Sequence, residues 1–273
     1  MPPALGAVTL AFATGECGAE RWAGIEGSSI AAANVQALVT AGKKYVISTG
    51  GSAGKFTCGT TAGFIAFVSR YMSANMIGID WDIEVGQTQA EIDAIVKRTK
   101  EAATSYPQLS FSFTIATFGA STTSSNLGIT GDAVVKAVLA AGLTNYIINL
   151  MVMDYGGPSS SVCTLGSDDQ CDMGASAASA ANSLNTAYGV PFNRIALTPM
   201  IGGNDVVSNV FKLADVTTLS DYASTKGLAG VHFWSFDRDR DCPVGPANAT
   251  CNSYNQAGTL GFTNAFVSRL GSA

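Results

Sequence analysis

Residues 78–84 read Gly-Ile-Asp-Trp-Asp-Ile-Glu, and this stretch decides our interpretation of the fold. Side chains along a β-strand point alternately to opposite faces, so Asp80, Asp82 and Glu84 would share one face. Neighbouring members of this acidic series would have Cα atoms roughly 6–7 Å apart, at about 3.3 Å per residue. The apolar residues between them would pack against helices. Charge repulsion and desolvation make such a series costly, which favours a functional role over a solvated edge strand.

Glycosidic bond cleavage is the chemistry that this pattern favours. A buried carboxyl group beside other carboxylates has a raised pKa, and it can stay protonated near neutral pH. It can then donate a proton to the oxygen of a leaving sugar. Glu84 would occupy the carboxyl end of its strand, where the active sites of barrel enzymes open.

The rest of the chain alternates short apolar segments with longer, alanine-rich ones. The near-continuous hydrophobicity of the short segments is typical of strands buried on both faces of a parallel sheet, and it predicts strands at 6–14, 43–50, 76–84, 108–117, 146–155, 194–201 and 230–237. The intervening segments predict helices at 28–41, 60–74, 87–105, 131–142, 173–188, 217–226 and 262–270.

Repeated βα units of this size predict an α/β fold, the (β/α)8 TIM barrel, formed by residues 1–273 as a single catalytic domain. Only seven strands are recognisable. Either the first βα unit is missing or one strand escapes recognition. A missing unit would leave an open sheet edge, so we expect a monomer unless such an edge pairs with another chain.

Composition narrows the functional classes. The chain has 273 residues, 47% of them hydrophobic and 13% charged, with a net charge of −5. That charge argues against nucleic acid as a partner, because no basic stripe is present to neutralise phosphates. No apolar segment reaches the roughly 18–20 residues of a membrane span, so we expect no membrane partner. We also recognise no signal peptide.

Six cysteines predict an oxidising, extracellular environment. Cys163 and Cys171 bracket one short polar loop, and Cys242 and Cys251 bracket another. Cys17 and Cys58 each follow an apolar segment and could meet at one end of the sheet. We therefore expect the disulfides Cys163–Cys171, Cys242–Cys251 and Cys17–Cys58. Six reduced thiols in a cytosolic enzyme are the alternative. A zinc site is not expected, because no C-x-x-C pair occurs and His232 is the only histidine.

The acidic series resembles the signature Asp-x-x-Asp-x-Asp-x-Glu of glycoside hydrolase family 18, the chitinase family. Asp80, Asp82 and Glu84 match its last three acids, whereas Ile77 replaces the first. A second family motif, Ser-x-Gly-Gly, is matched by Ser48, Gly50 and Gly51. Small residues at these positions would leave room for sugar and for the carboxylates.

A third family motif, Met-x-Tyr-Asp, is matched in part. Met151 and Asp154 fit it, but Met153 stands at the tyrosine position. Tyr155, two residues later, would lie on the same face as Met153 and could supply a hydroxyl. The order Met-Asp-Tyr-Gly is similar to that of a bacterial subgroup of the family.

The resemblance to that subgroup extends towards the C-terminus. It includes residues 198–202, the pair Asn204-Asp205, residues 233–235 and the pair Arg238-Asp239. We interpret residues 237–241 most simply as a surface network of alternating charge, in which Arg238 and Asp239 could hold the loop after Trp234.

The resemblance implies a mechanism without a protein nucleophile, in which the N-acetyl oxygen of the substrate attacks the anomeric carbon. Glu84 would be the general acid and then the general base. Asp82 would hold the acetamido N–H, and Asp80 would share a proton with Asp82. Asp154 would position the acetamido group or Glu84.

Further residues would bind sugar. Trp234 would form the floor on which the reacting sugar stacks, since the C–H face of a pyranose is apolar. Met200 and Asn204 would contribute from the subgroup motif. Trp22 would line a distal subsite or anchor a loop. We expect His232 to be a core residue.

The leading hypothesis is a secreted, retaining chitinase that acts on chitin or N-acetylglucosamine oligosaccharides and requires no metal or organic cofactor. An endo-N-acetylglucosaminidase acting on N-glycans would use the same acids. A catalytically inactive chitin-binding lectin would use the same scaffold, although such proteins usually lose the proton-donating glutamate, and Glu84 is present.

Overall fold

The computed structural model describes residues 2, 5–84, 86–121 and 124–271. Among them, seven strands form the main sheet, in the spatial order in which they follow along the chain. They are β1 (Ala7–Ala13), β2 (Lys44–Gly50), β3 (Met76–Asp82), β4 (Ser110–Ala116), β5 (Ile147–Met151), β6 (Ile195–Thr198) and β7 (Gly230–Val231). The pairs β1–β2, β2–β3, β3–β4 and β6–β7 are parallel. Seven parallel strands confirm the number predicted from the sequence, one fewer than in a complete (β/α)8 barrel.

In the described part of the chain, seven α-helices connect or follow these strands. They are α1 (Gly27–Thr40), α2 (Thr61–Tyr71), α3 (Gln89–Ser105), α4 (Ile129–Ala140), α5 (Met173–Tyr188), α6 (Leu213–Lys226) and α7 (Gly261–Leu270). The described residues also form three short two-stranded pairings: Gly15–Glu16 with Phe56–Thr57, Arg21–Trp22 with Ile25–Glu26, and Gly202–Gly203 with Val210–Phe211. Two short 3-10 helices lie at Phe192–Arg194 and Phe236–Arg238.

Local sequence signals fix most helix ends. Thr88 and Glu91 form a capping box at the start of α3, and Asp172 accepts a hydrogen bond from the backbone N–H of Ala175 at the start of α5. Gly189 and Gly227 end α5 and α6 in the left-handed conformation. The predicted helix at 217–226 was too short, because α6 already begins at residue 213.

The chain divides into two compact units. One, which we call the acid-bearing unit, comprises Gly6–Ile115 and Ile129–Ile148; the other, the tryptophan-bearing unit, comprises Met1–Leu5, Ala116–Gly128 and Asn149–Ala273. Each is described by itself below.

All three predicted disulfides are present. They join Cys17 to Cys58, Cys163 to Cys171 and Cys242 to Cys251. The first lies in the acid-bearing unit and the other two in the tryptophan-bearing unit. No helix in the described part of the chain is long and apolar enough to cross a membrane.

Candidate active site

Strand β3 presents its acids and its large apolar residues to opposite faces, as the alternation predicted. Asp80 and Asp82 are 7% and 4% exposed. On the other face Trp81 is fully buried and packs against Phe56 and Phe64. The carboxyl groups are therefore held by a rigid, well-packed strand rather than by a mobile loop.

Three hydroxyl groups surround the carboxylate of Asp80. Ser48 Oγ on β2 donates to Asp80 Oδ2 at 2.6 Å, and Thr114 Oγ1 on β4 donates to Oδ1 at 2.7 Å. Ser112 Oγ, also on β4, donates to Oδ1 as well. Asp80 thus acts only as a hydrogen-bond acceptor in these contacts.

Asp82 lies in a different environment. Burial, followed by the charges of Asp80 and Glu84, raises the pKa of Asp82 to about 10, and a hydrogen bond with Glu84 acts in the same direction. This environment favours the protonated form of Asp82 at neutral pH. Its Oδ1 atom is buried and has no hydrogen-bond partner among the described residues.

Glu84 lies two residues beyond the end of β3, which stops at Asp82 rather than at residue 84 as predicted. The intervening Ile83 still bonds to the next strand, through its N–H and the carbonyl oxygen of Thr114 at 2.9 Å. Glu84 is half-buried and its carboxyl group is hydrogen-bonded with that of Asp82. The structure thus brings the three acids together at the carboxyl end of one strand.

The Ser48, Gly50 and Gly51 motif serves the acids through the backbone. Gly50 has φ +87° and an added Cβ would lie 2.0 Å from the carbonyl oxygen of Asp82. Gly51 donates its N–H to that same oxygen at 3.2 Å. The glycines therefore let the end of β2 lie directly against Asp82, while Ser48 holds Asp80.

In the tryptophan-bearing unit, Asp154 and Asn204 hold each other in place. The N–H of Asp154 donates to Asn204 Oδ1 at 3.2 Å, and Asp154 Oδ1 accepts from the N–H of Val206 at 2.8 Å. Burial raises the pKa of Asp154. Asn204 is fully buried. The two side chains therefore fix the turn at residues 204–206 relative to the segment after β5.

Met200 and Trp234 belong to the same group of residues as Asp154 and Asn204. Asn204 Nδ2 donates to the carbonyl oxygen of Met200 at 3.0 Å, and Met200 pairs in parallel with Trp234. Trp234 is 38% exposed, which leaves an aromatic surface open to solvent. Regular pairing of β7 ends at Val231, so the predicted strand at 230–237 is shorter than expected.

Three neighbouring residues of the third motif differ in exposure. Met151 and Met153 are half-buried. Tyr155 is 2% exposed, and its hydroxyl has no hydrogen-bond partner among the described residues. Burial, with a smaller contribution from the charge of Asp215, raises the pKa of Tyr155 well above its usual range. This hydroxyl lies in the interior and does not face solvent.

Two expectations for the C-terminal segment are corrected. Arg238 and Asp239 are 1% and 2% exposed, so residues 237–241 are not simply a surface network. Arg238 donates to the carbonyl oxygen of Gly203, and Asp239 accepts from the backbone of α7, so both hold the loop after Trp234. His232 is exposed and is not a core residue.

For Trp22 the sequence left two alternatives, a residue of a distal sugar subsite or a buried loop anchor. It is 7% exposed, and its indole N–H donates to the hydroxyl of Tyr71 at 2.8 Å. Tyr71 in turn donates to the buried carboxylate of Glu20 at 2.7 Å. This arrangement fits the loop-anchor alternative.

Sequence reasoning missed Ser112 and Thr114. The signal was present, because residues 110–114 read Ser-Phe-Ser-Phe-Thr, an alternation that places hydroxyls on one face of a strand next to β3. Among the described residues, no group of three or more His, Cys, Asp or Glu side chains is arranged to hold a metal ion.

Known proteins provide a comparison for this geometry. No family model matches the chain. Endochitinase 11 of Metarhizium anisopliae is 27% identical over 237 residues, which are 80% of this chain and 43% of that protein. The probable bifunctional chitinase/lysozyme of Escherichia coli strain K12 is 26% identical over 225 residues, 75% of this chain and 24% of that protein. The chain thus spans less than half the length of either curated relative.

Solved structures are similar in fold. The catalytic domain of a hyperthermophilic chitinase from Pyrococcus furiosus superposes with a TM-score of 0.75 at 24% identity, covering 97% of this chain and 86% of that one. A family 18 chitinase from Chromobacterium violaceum gives a TM-score of 0.55 at 17% identity, covering 98% and 75%. The fold is that of the chitinase (β/α)8 barrel with one unit fewer. In sequence and in fold, this chain therefore resembles the chitinases of glycoside hydrolase family 18.

Proposed function

We propose that the chain is a secreted, retaining chitinase that hydrolyses β-1,4-linked N-acetylglucosamine polymers. The observation that carries this proposal is the buried, hydrogen-bonded pair of Asp82 and Glu84 beside Asp80 at the carboxyl end of one strand. Proton donation to a leaving sugar oxygen requires an acid of this kind.

In the reacting form Glu84 carries a proton of its own in addition to that of Asp82, and Glu84 supplies its proton in the first step. It protonates the glycosidic oxygen as the bond from that oxygen to the anomeric carbon breaks. The acetamido carbonyl oxygen of the same sugar forms a bond to the anomeric carbon and gives an oxazolinium ion. Asp82 donates a hydrogen bond to the Glu84 carboxylate that results, which stabilises it.

Glu84 then acts as a general base. Its carboxylate removes a proton from water, and the water oxygen attacks the anomeric carbon from the side that the leaving sugar vacated. The bond to the acetamido oxygen breaks. Two displacements at the same carbon retain its configuration, and Glu84 recovers the proton that it lost.

Asp82 has an acceptor suited to the acetamido group. Its Oδ1 atom has no hydrogen-bond partner among the described residues, and an unpaired buried acceptor costs stability. An acetamido N–H would satisfy this oxygen once a small local movement admits the substrate. Such a contact would orient the carbonyl oxygen that attacks.

The second group of residues supplies binding surface. The half-exposed indole of Trp234 offers a flat apolar face for a sugar ring. Asp154 and Asn204 stabilise the turn next to it and are proposed to position substrate. A catalytic-site mutant of the Pyrococcus furiosus chitinase has been crystallised with chito-oligosaccharides, which supports the same ligand class here.

Three disulfides support the proposed secretion, because such bonds persist in oxidising compartments.

The first experiment compares hydrolysis of N-acetylglucosamine oligomers by the wild type and Glu84→Gln. Glutamine preserves shape but cannot donate the proton, so we expect activity to fall roughly 10²–10⁴-fold. Glu26→Gln is the matched control, since the side chain of Glu26 forms an exposed ion pair with Arg21. Cleavage of N-glycans but not of chitin oligomers would favour the glucosaminidase. Binding without hydrolysis by the wild type would favour the lectin.

A further inference from the structure

The loop that the disulfide Cys242–Cys251 closes contains a sequence pattern that the proposed function does not use. Residues 248–250 read Asn-Ala-Thr, which is the only Asn-x-Ser/Thr tripeptide in the 273 residues of the sequence. An asparagine in this pattern is the acceptor for N-linked glycosylation in secreted proteins. Such short patterns also occur by chance, so the surroundings of Asn248 decide whether the folded chain can carry a glycan.

The tripeptide lies on the surface. Asn248, Ala249 and Thr250 are all exposed. The turn that contains them is closed by the disulfide and by an isolated antiparallel pairing of Asn248 with Cys251. A glycan is bulky and hydrophilic, so only a surface side chain can carry one without displacing packed neighbours. Asn248 meets this requirement.

The side-chain amide of Asn248 has one engaged atom and one free atom. Its Oδ1 accepts hydrogen bonds from the backbone N–H of Thr250 at 2.9 Å and from Thr250 Oγ1 at 3.1 Å. Its Nδ2, the atom to which a glycan would be attached, has no hydrogen-bond partner among the described residues. Replacing one of the two Nδ2 protons by a sugar therefore breaks no hydrogen bond that the described residues make.

Other contacts hold the loop without the amide nitrogen of Asn248. Arg240 Nε donates to the carbonyl oxygen of Thr250 at 2.6 Å, and Ser253 Oγ donates to the carbonyl oxygen of Pro246 at 2.8 Å. These contacts lie on both sides of Asn248 and leave its Nδ2 uninvolved. The folded loop can therefore keep its conformation when this nitrogen is modified.

We propose that Asn248 is an N-glycosylation site, modified when the chain enters a secretory compartment that contains an oligosaccharyltransferase. The donor is an oligosaccharide linked to a lipid diphosphate. A bond forms between Asn248 Nδ2 and the anomeric carbon of the first sugar, while the bond from that carbon to the diphosphate oxygen breaks. The lipid diphosphate leaves with the electron pair, and Nδ2 loses one proton. This proposal rests on the secretion in the proposed function and not on the hydrolytic activity.

The test is to express residues 1–273 behind a cleavable secretion leader in yeast and to analyse the peptide that contains Asn248 by mass spectrometry. We expect a glycan on this peptide, and peptide-N-glycosidase F should remove it and convert the asparagine to aspartate. A secreted wild-type chain with unmodified Asn248 would overturn the proposal.

Variants test whether the tripeptide directs the modification. Asn248→Gln and Thr250→Ala should each abolish the glycan, whereas Thr250→Ser should keep it because serine retains the hydroxyl. Asn193→Gln is the matched control, since Asn193 is an exposed asparagine outside any such tripeptide, and it should leave the glycan unchanged. A glycan that persists in Thr250→Ala would contradict the proposal. Thermal melting of the secreted variants shows whether each one is folded.

The two proposals fail in different ways. The added leader brings the chain into the secretory compartment, so detection of a glycan does not depend on hydrolysis. A glycosylated chain that does not hydrolyse chitin oligomers would contradict the proposed function and support the glycosylation site. An active chain in which Asn248 is unmodified would contradict only the glycosylation site.

Discussion

The carbonyl oxygen of Asp82 occupies the space that a side chain on Gly50 would need. An added Cβ at Gly50 would lie 2.0 Å from that oxygen, and the residue has φ +87°. Gly50 therefore meets two requirements at one position: it adopts a left-handed backbone conformation, and it lies too close to the backbone of β3 for a side chain to fit.

A comparison of Gly50→Ala with Gly24→Ala should separate the cost of the left-handed backbone from the cost of the close contact with Asp82. Gly24 has nearly the same backbone angle, φ +85°, but nothing lies within 4 Å of an added Cβ. We expect Gly50→Ala to lower the free energy of unfolding by roughly 1–3 kcal/mol beyond Gly24→Ala, the usual cost of overpacking. Urea unfolding measures both. Equal losses would mean that the contact with Asp82 relaxes without cost.

Asp82→Asn should change how stability depends on pH. The pKa of Asp82 is raised to about 10, mainly by burial, so between pH 5 and 9 the folded chain holds a proton that the unfolded chain has lost. Stability of the wild type therefore falls as pH rises, by up to about 1.4 kcal/mol per pH unit from this group. Asparagine binds no proton and removes this dependence.

Denaturant unfolding at pH 5, 7 and 9 tests whether the free energy of unfolding falls as pH rises. The stability difference between Asp82→Asn and the wild type should shift in favour of the variant with each step upward. Asp93→Asn, which removes an exposed carboxyl group on α3, is the matched control. Parallel curves for Asp82→Asn would show that Asp82 is already ionised in the folded chain.

The disulfides should contribute unequally to stability. Cys17 and Cys58 are 41 residues apart, whereas Cys163 and Cys171 are 8 apart. If the entropy of loop closure dominates, the longer loop contributes about 1.4 kcal/mol more. Replacing each pair by serine and measuring unfolding in guanidinium chloride compares them. A larger loss for the short loop would show that local packing outweighs chain entropy.

The barrel fold could be predicted because the alternation of apolar and helix-like segments is repeated along the chain. Seven apolar segments between helix-like ones produced seven parallel strands, and the acidic series lay on the face that alternation required. Strand ends were less predictable. The last strand pairs regularly only over Gly230–Val231, and beyond it single backbone hydrogen bonds from His232 to Leu197 and from Trp234 to Pro199 extend the contact as far as the exposed indole.

The three acids of the site were predictable because they lie in one segment of the sequence. Residues whose partners are distant in the sequence were harder to predict. Hydroxyls such as Ser112 and Thr114 are common on strands, and only the register with β3 gives them a carboxylate partner. Arg238 and Asp239 read as surface charges, but in the interior Arg238 donates to the carbonyl oxygens of Gly203 and Cys251, and Asp239 accepts from the backbone of α7. Such partners are distant in sequence and leave no local pattern.

Tyr155 offers the sharpest test of a sequence expectation. It lies two residues after Met153, which stands at the tyrosine position of the family motif, so its hydroxyl could have replaced the missing one. The structure instead buries this hydroxyl without a partner among the described residues. Removing an unsatisfied buried hydroxyl relieves a desolvation cost, so Tyr155→Phe should stabilise the chain by about 1 kcal/mol and leave kcat/KM unchanged. Tyr45→Phe is the matched contrast, since its hydroxyl donates to the carbonyl oxygen of Tyr71 at 2.6 Å and its loss should destabilise. Thermal melting and oligomer hydrolysis check both variants. A fall in kcat/KM for Tyr155→Phe without loss of stability would return this hydroxyl to the substrate site.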